Sequence, residues 1–316
     1  MIALLCPGQG AQAPGMLSAW LQVDGLAALL GSYVEASGID LLTLGTTADA
    51  ETIKDTAVAQ PLIVATSLLS LAALTARAGS HRHWAGAVAG HSVGEFAAAA
   101  VAGVLTATDA LRLVAVRGRA MAEAAARTPT GMSAVLGGDA AEVARMLAEL
   151  NLVGANVNGG GQVIAAGTLE DLQRLRGTPP ARARVMPLQV AGAFHTSHMS
   201  SAVDVVAGAA AAISPADPEL VLLSNADGAP VADGAAALTG LVRQISSPVR
   251  WDLCQEQLLS TGVTAVIELV PGGVLTGLAR RTLPGVEAVA LKSPADLEAA
   301  IDLISRHTAT ESEDTR

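Results

Sequence analysis

The sequence predicts an α/β protein: a largely parallel central sheet covered by helices on both faces, with a small subdomain inserted in its middle. Three observations carry this. Short apolar runs alternate with longer alanine- and leucine-rich segments near both ends of the chain, the rhythm of parallel strands joined by crossover helices. From about residue 126 to about 190 the rhythm changes to β-α-β-β-α-β, the ferredoxin-like order. The 316 residues are 51% hydrophobic and 15% charged, which describes a globular protein with a large core rather than a disordered chain.

The elements follow in order. Ile2–Cys6 is a first strand; it lacks a basic flank and runs straight into Pro7-Gly8-Gln9-Gly10, so it is not a signal peptide. Ala57–Ala78 is a helix whose apolar stretch, Pro61 to Leu74, carries Ser and Thr and falls short of a membrane span. Gly86–Ala89 is a buried strand leading into an alanine-rich helix from Glu95 to Ala102, and Ala107–Ala126 is the next helix, begun by Thr106 and Asp109 in a capping-box-like pair. In the insertion, Met132–Leu136, Val153–Val157, Gln162–Ala166 and Arg184–Val190 read as strands, with helices at Ala140–Leu150 and Leu169–Arg176. The large sheet resumes with strands Leu220–Ser224, Ala265–Leu269 and Glu287–Leu291, among helices Met199–Ala212, Ala235–Gln244 and Leu297–His307. The chain thus divides into a large subdomain (1–125 and 191–307), the insertion (126–190) and a polar, disordered tail (308–316). The cleft between the lobes is the expected ligand site.

Composition excludes several function classes. A net charge of −10 leaves no general basic face for nucleic acid, and 2% aromatic residues make no stacking platform for single strands. The two cysteines, Cys6 and Cys254, lie in apolar surroundings without zinc spacing and read as reduced core thiols of a cytoplasmic protein.

The chemistry centres on Gly90-His91-Ser92-Val93-Gly94, a hydroxyl between two glycines at a strand-to-helix junction, the geometry of a nucleophile elbow. Glycine lets the backbone turn tightly there. Ser92 then projects from the top of the sheet, and the Val93 N–H at the helix start can point at an oxyanion. Of six histidines, His81 and His83 fall in a short polar connection and His307 begins the tail, so all three read as surface residues. His91 is locked beside the nucleophile and shapes the pocket. His195, in Gly192-Ala193-Phe194-His195-Thr196-Ser197-His198-Met199 where the chain returns from the insertion, is the expected base. No acidic third member stands out: Asp139, Glu142, Glu149, Glu170 and Asp171 fall mostly on helix faces of the insertion. A backbone carbonyl or an amide side chain is left to orient the imidazole, giving a Ser-His dyad. The only phenylalanines, Phe96 and Phe194, each sit beside a candidate catalytic residue.

Pro7-Gly8-Gln9-Gly10-Ala11-Gln12, Gln60-Pro61, Gly90-His91-Ser92-Val93-Gly94-Glu95, Arg117-Gly118-x-x-Met121, Gly192-Ala193-Phe194-His195 and Ser247-Pro248-Val249-Arg250-Trp251 occur in that order over nearly the whole chain. In this the chain resembles the malonyl-CoA:acyl-carrier-protein transacylases, and its alanine-rich background looks like an actinobacterial member of type II fatty acid synthesis. The resemblance implies an α/β-hydrolase-like large subdomain with a ferredoxin-like small one. It implies Ser92 as acylated nucleophile, His195 as general base, the N–H groups of Gln9 and Val93 as oxyanion hole, and the Gln244 main-chain carbonyl as the group orienting the histidine. Arg117 would pair with the malonyl carboxylate, Gln60, His91 and Met121 would line the pocket, and Phe194 would accompany malonyl preference. One departure is Glu268-Leu269-Val270-Pro271-Gly272-Gly273, where many members have Gly before the Pro, which touches local turn geometry.

The function so implied is ping-pong transfer of malonyl from malonyl-CoA to the phosphopantetheine thiol of acyl carrier protein, for fatty acid and polyketide synthesis, with no metal or other cofactor. The enzyme is expected as a monomer with no nucleic-acid or membrane partner. An acidic carrier would need a local basic patch, for which Arg182, Arg184, Arg280, Arg281 and Lys292 are candidates. The alternatives are a serine hydrolase, the malonyl transferase subunit of a malonate decarboxylase, a stand-alone polyketide acyltransferase, and a non-catalytic carrier-binding scaffold.

Overall fold

In the computed structural model, which describes residues 1–313, strand β1 (Ile2–Cys6) is buried at every residue. Alternate side chains enter different cores: Ile2, Leu4 and Cys6 join one apolar cluster and Ala3 and Leu5 another. A strand covered on both faces has to be apolar throughout, which is why it reads as an unbroken run. Helices α1 (Leu26–Ser37), α2 (Leu41–Thr46) and α3 (Thr56–Ala78) follow, then β2 (Ala85–Gly90), α4 (Gly94–Val101) and α5 (Ala107–Ala125). By length and composition α3 could cross a membrane, but 83% of its apolar window is buried inside the fold, where it packs against α5 as a core helix.

The insertion comprises β3 (Thr130–Gly137), α6 (Ala140–Glu149), β4 (Val153–Gly159), β5 (Gln162–Thr168), α7 (Leu169–Gly177) and β6 (Ala183–Pro187). These four strands pair antiparallel in the order β6-β3-β5-β4, the ferredoxin-like arrangement. Asp139 and Thr168 cap the two helices through the N–H groups of Glu142 and Asp171. Val135, Val143, Leu147, Leu152, Ala165, Leu172 and Leu175 form a separate small core.

The chain then returns through α8 (Ser200–Ala210), β7 (Val221–Leu223), α9 (Gly234–Arg243), β8 (Val249–Arg250), α10 (Trp251–Ser260), β9 (Ala265–Glu268), α11 (Val274–Thr282), β10 (Glu287–Ala290) and α12 (Leu297–Glu313). The large sheet is parallel throughout, in the order β10-β9-β1-β2-β7. Strand β8 does not join it. It pairs parallel with β4, Asn156 opposite Val249 and Val157 opposite Arg250, as a fifth strand of the small sheet. Helix α12 continues past His307, where the sequence reading ended it; positions 314–316 of the expected tail lie outside the described residues.

Candidate active site

Strand β2 ends at Gly90 and α4 begins at Gly94, and between them Ser92 is held at φ 53°. A side chain rarely adopts that left-handed conformation without strain. Crowding explains the flanking glycines: a Cβ on Gly90 would overlap the backbone of Gly94 and Glu95, and one on Gly94 would overlap the Cys6 carbonyl at the end of β1. The turn therefore wedges Ser92 upward against the central strand.

Ser92 Oγ lies 2.7 Å from His195 Nε2, and His195 Nδ1 lies 2.8 Å from the main-chain carbonyl of Gln244. A carbonyl only accepts, so Nδ1 carries the proton and Nε2 is left to accept from the serine hydroxyl. His195, itself at φ 60°, is 3% exposed. Burial first, and then the nearby Arg117 charge, pushes its pKa down to about 3, so the imidazole is neutral at pH 7 and able to take a proton.

Behind the serine is a closed polar network. The Ser92 N–H donates to Asn225 Oδ1 at 2.8 Å, and Asn225 Nδ2 donates to the Gly90 carbonyl at 2.7 Å. The Asn225 N–H donates to Glu95 Oε1 at 2.7 Å. The side-chain nitrogen of Gln244 donates to the Ser92 carbonyl at 2.9 Å and to Glu95 Oε2. Burial raises the Glu95 pKa to about 7 against the pull of these donors and of Arg117.

Arg117 enters from α5 and is 1% exposed. Its Nη1 donates to Gln60 Oε1 at 2.6 Å and its Nη2 to Gln244 Oε1 at 2.7 Å, while its carbon lies 5.5 Å from the centroid of the Phe96 ring. Burial lowers its pKa to about 10, Glu95 opposing, so the guanidinium stays charged at pH 7. Among the described residues its buried Nε has no partner. Gln60 Nε2 turns toward Met121 Sδ at 3.5 Å. His91 Nε2 pairs with Asn158 Oδ1 at 2.9 Å, and its ring meets that of Trp251 edge-on.

A cavity of about 190 Å³ opens between the lobes over Ser92. Gln9, Gln60, His91, Val93, Arg117, Met121, Phe194 and His195 line it from the large lobe, and Met132, Asn156, Asn158, Gln162 and Ile164 from the small one. Gln244 stands behind the wall, reaching the site through His195, Arg117 and Ser92. Among the described residues the backbone N–H groups of Gln9 and Val93 make no hydrogen bond, whereas that of Ser92 is taken by Asn225. His81, His83, His198 and His307 line no part of this cavity. Among the described residues no group of three or more His, Cys, Asp or Glu is placed to hold a metal ion.

Glu95 and Asn225 are site residues that sequence reasoning missed. Glu95 stands inside the elbow motif and reads there as an ordinary first-turn acid; Asn225 directly follows an expected strand and carries no local signal. The small-lobe amides offered more, since Asn156 and Asn158 alternate on one strand and so share a face.

A Ser-His pair with a neutral imidazole and a buried cation, all lining one cavity, suit acyl transfer of a carboxylate-bearing group. A sequence model of the acyl transferase domain family matches residues 3–302. The malonyl CoA-acyl carrier protein transacylase of Mycobacterium tuberculosis is 55% identical over 306 residues, covering 96% of this chain and all of that protein. The crystal structure of MCAT from the same organism superposes with a TM-score of 0.91, covering 94% of this chain and 98% of that one. A malonyl-transacylase in complex with its holo type II polyketide acyl-carrier protein superposes with a TM-score of 0.89 at 30% identity, covering 95% of this chain and 99% of that one.

Proposed function

Because the chain belongs to the malonyl-CoA:acyl-carrier-protein transacylases of the acyl transferase family, we propose that Ser92 carries the malonyl group between the two thiols, with His195 as its base. The enzyme is an acyltransferase that passes malonyl from CoA to acyl carrier protein for fatty acid synthesis. The observation that carries the residue assignment is the line Ser92 Oγ, His195, Gln244 carbonyl, ending in a cavity that Arg117 also faces.

In the first half-reaction Ser92 Oγ attacks the thioester carbonyl and its proton passes to His195 Nε2. The tetrahedral oxyanion is held by the N–H groups of Gln9 and Val93, each worth about 3–4 kcal/mol to such an intermediate. The C–S bond then breaks, the sulfur takes the proton from Nε2, and a malonyl-serine ester remains. In the second half-reaction the phosphopantetheine thiol gives its proton to Nε2 and attacks the ester, and the serine oxygen leaves with that proton.

The malonyl carboxylate is assigned to Arg117. A guanidinium has five N–H donors in a planar fork, and those not held by Gln60 and Gln244 remain to grip a carboxylate. Phe194, buried beside the base and lining the cavity, is assigned the rejection of a branched α-carbon. Two buried, free cysteines fit a reducing cytoplasm.

Intact-mass measurement after exposure to malonyl-CoA tests the assignment. We expect one malonyl ester on the wild type and none on Ser92→Ala. No adduct on the wild type, or an adduct that survives the substitution, would overturn it.

A further inference from the structure

Beneath the nucleophile lies a carboxylate that the acyl transfer does not use. Glu95 sits in the first turn of α4, 8% exposed, with Oε1 on the Asn225 N–H and Oε2 on the Gln244 amide nitrogen. Arg117, whose charge acts on it directly, is also tied to it by hydrogen bonds through that amide, whose Oε1 accepts from Arg117 Nη2 at 2.7 Å.

The Gln244 amide has one workable orientation. Its nitrogen faces three oxygens, Glu95 Oε2, Ser92 O and Asn225 Oδ1, and its oxygen faces a guanidinium nitrogen. Reversing it would set oxygen against oxygens and donor against donor. The Glu95 side chain enforces this orientation because both of its oxygens accept, one from the Asn225 N–H and one from the Gln244 amide nitrogen. The same residue's main-chain carbonyl holds His195, so the side chain is the separable part.

We propose that Glu95 is a positioning residue for substrate choice: through the Gln244 amide it aims the Arg117 guanidinium into the cavity, and so sets the preference for an acyl group that bears a free carboxylate. This rests on the reading of Arg117 as the carboxylate's partner. Burial works against negative charge at this position, while the helix start, the two donors and the buried cation two bonds of the network away favour it. Asp227 and Cys254 are the other titratable groups acting around Glu95, and Asp227 opposes its ionisation. Glu95→Gln keeps the shape but can accept from only one of its two donating neighbours, which loosens the frame that holds the Gln244 amide and with it the guanidinium.

The test compares single-turnover loading of the whole enzyme by malonyl-CoA and by acetyl-CoA. Glu95→Gln is expected to lower kcat/KM for malonyl about tenfold or more, mostly through KM, with acetyl loading changed much less. Gln244→Leu, which keeps the main-chain carbonyl, is expected to show the same selective loss and serves if Glu95→Gln does not fold. In an Arg117→Ala background, Glu95→Gln should add no further selective loss. Parallel losses for malonyl and acetyl, or full additivity with Arg117→Ala, would overturn the proposal. If Arg117→Ala alone left the malonyl-to-acetyl ratio unchanged, the carboxylate role of Arg117 would fail instead.

Discussion

His195 Nδ1 donates to the main-chain carbonyl of Gln244 at 2.8 Å, where a hydrolase triad would hold a carboxylate. The carbonyl fixes the tautomer as an acid would, but it adds no negative charge beside the ring and cannot itself titrate.

Burial of that ring, which the carbonyl only partly opposes, gives stability a pH dependence. In the unfolded chain the histidine titrates near 6.5, whereas in the fold burial and Arg117 hold it near 3. Between these values the unfolded state binds a proton that the folded state refuses, so stability falls as pH falls, by up to about 1.4 kcal/mol per unit. His195→Gln lacks this titration, and its urea midpoint should decline less steeply than the wild type's from pH 6.5 to 4.5. Parallel curves would mean that His195 protonates in place.

Arg117→Lys keeps a charge but loses the fork. An ammonium on a flexible stem cannot hold Gln60 and Gln244 while presenting two parallel donors to a carboxylate. Malonyl loading should fall about 10- to 100-fold with acetyl loading less affected, read as adduct formation by intact mass. An unchanged rate would show that charge alone suffices.

Phe194→Ala should relax the choice between malonyl and methylmalonyl. One methyl group in a packed pocket is worth about 1–3 kcal/mol, so the ratio of the two adducts in a competition with both CoA esters should shift by about 10- to 200-fold. If the ratio held, the discriminating wall would lie elsewhere in the cavity.

Two glycines should respond oppositely to alanine. At Gly94 a Cβ meets the carbonyl of Cys6, which cannot retreat without moving the central strand, so Gly94→Ala should lower the melting temperature sharply or prevent folding. At Gly31, within α1, a Cβ meets nothing within 4 Å, and alanine should stabilise by about 0.5–1 kcal/mol. Thermal unfolding of both variants reads the contrast.

How much was legible depended on how local each signal was. Strand β1 matches its expected bounds end to end because burial on both faces leaves a continuous apolar run. The insertion's six elements appear in the expected order because two capped helices punctuate its strands. Helices α1, α2, α10 and α11 were not foreseen; α11 starts where the buried Glu268 accepts the N–H groups of Gly273, Leu275 and Thr276, five to eight residues on, farther than the three-residue reach of an ordinary capping pair. Ser92, His195 and Arg117 were marked by motif. The Gln244 side-chain contacts were not, since they exist only where α4, α5 and the turn after α9 meet.

Strand β8 belongs by chain to the large body and by hydrogen bonds to the small sheet. Any motion that parts the two halves has to break that two-residue ladder or carry β8 along with β4, so the small-lobe wall of the cavity, where Asn156 sits, is tethered to the chain of the large body.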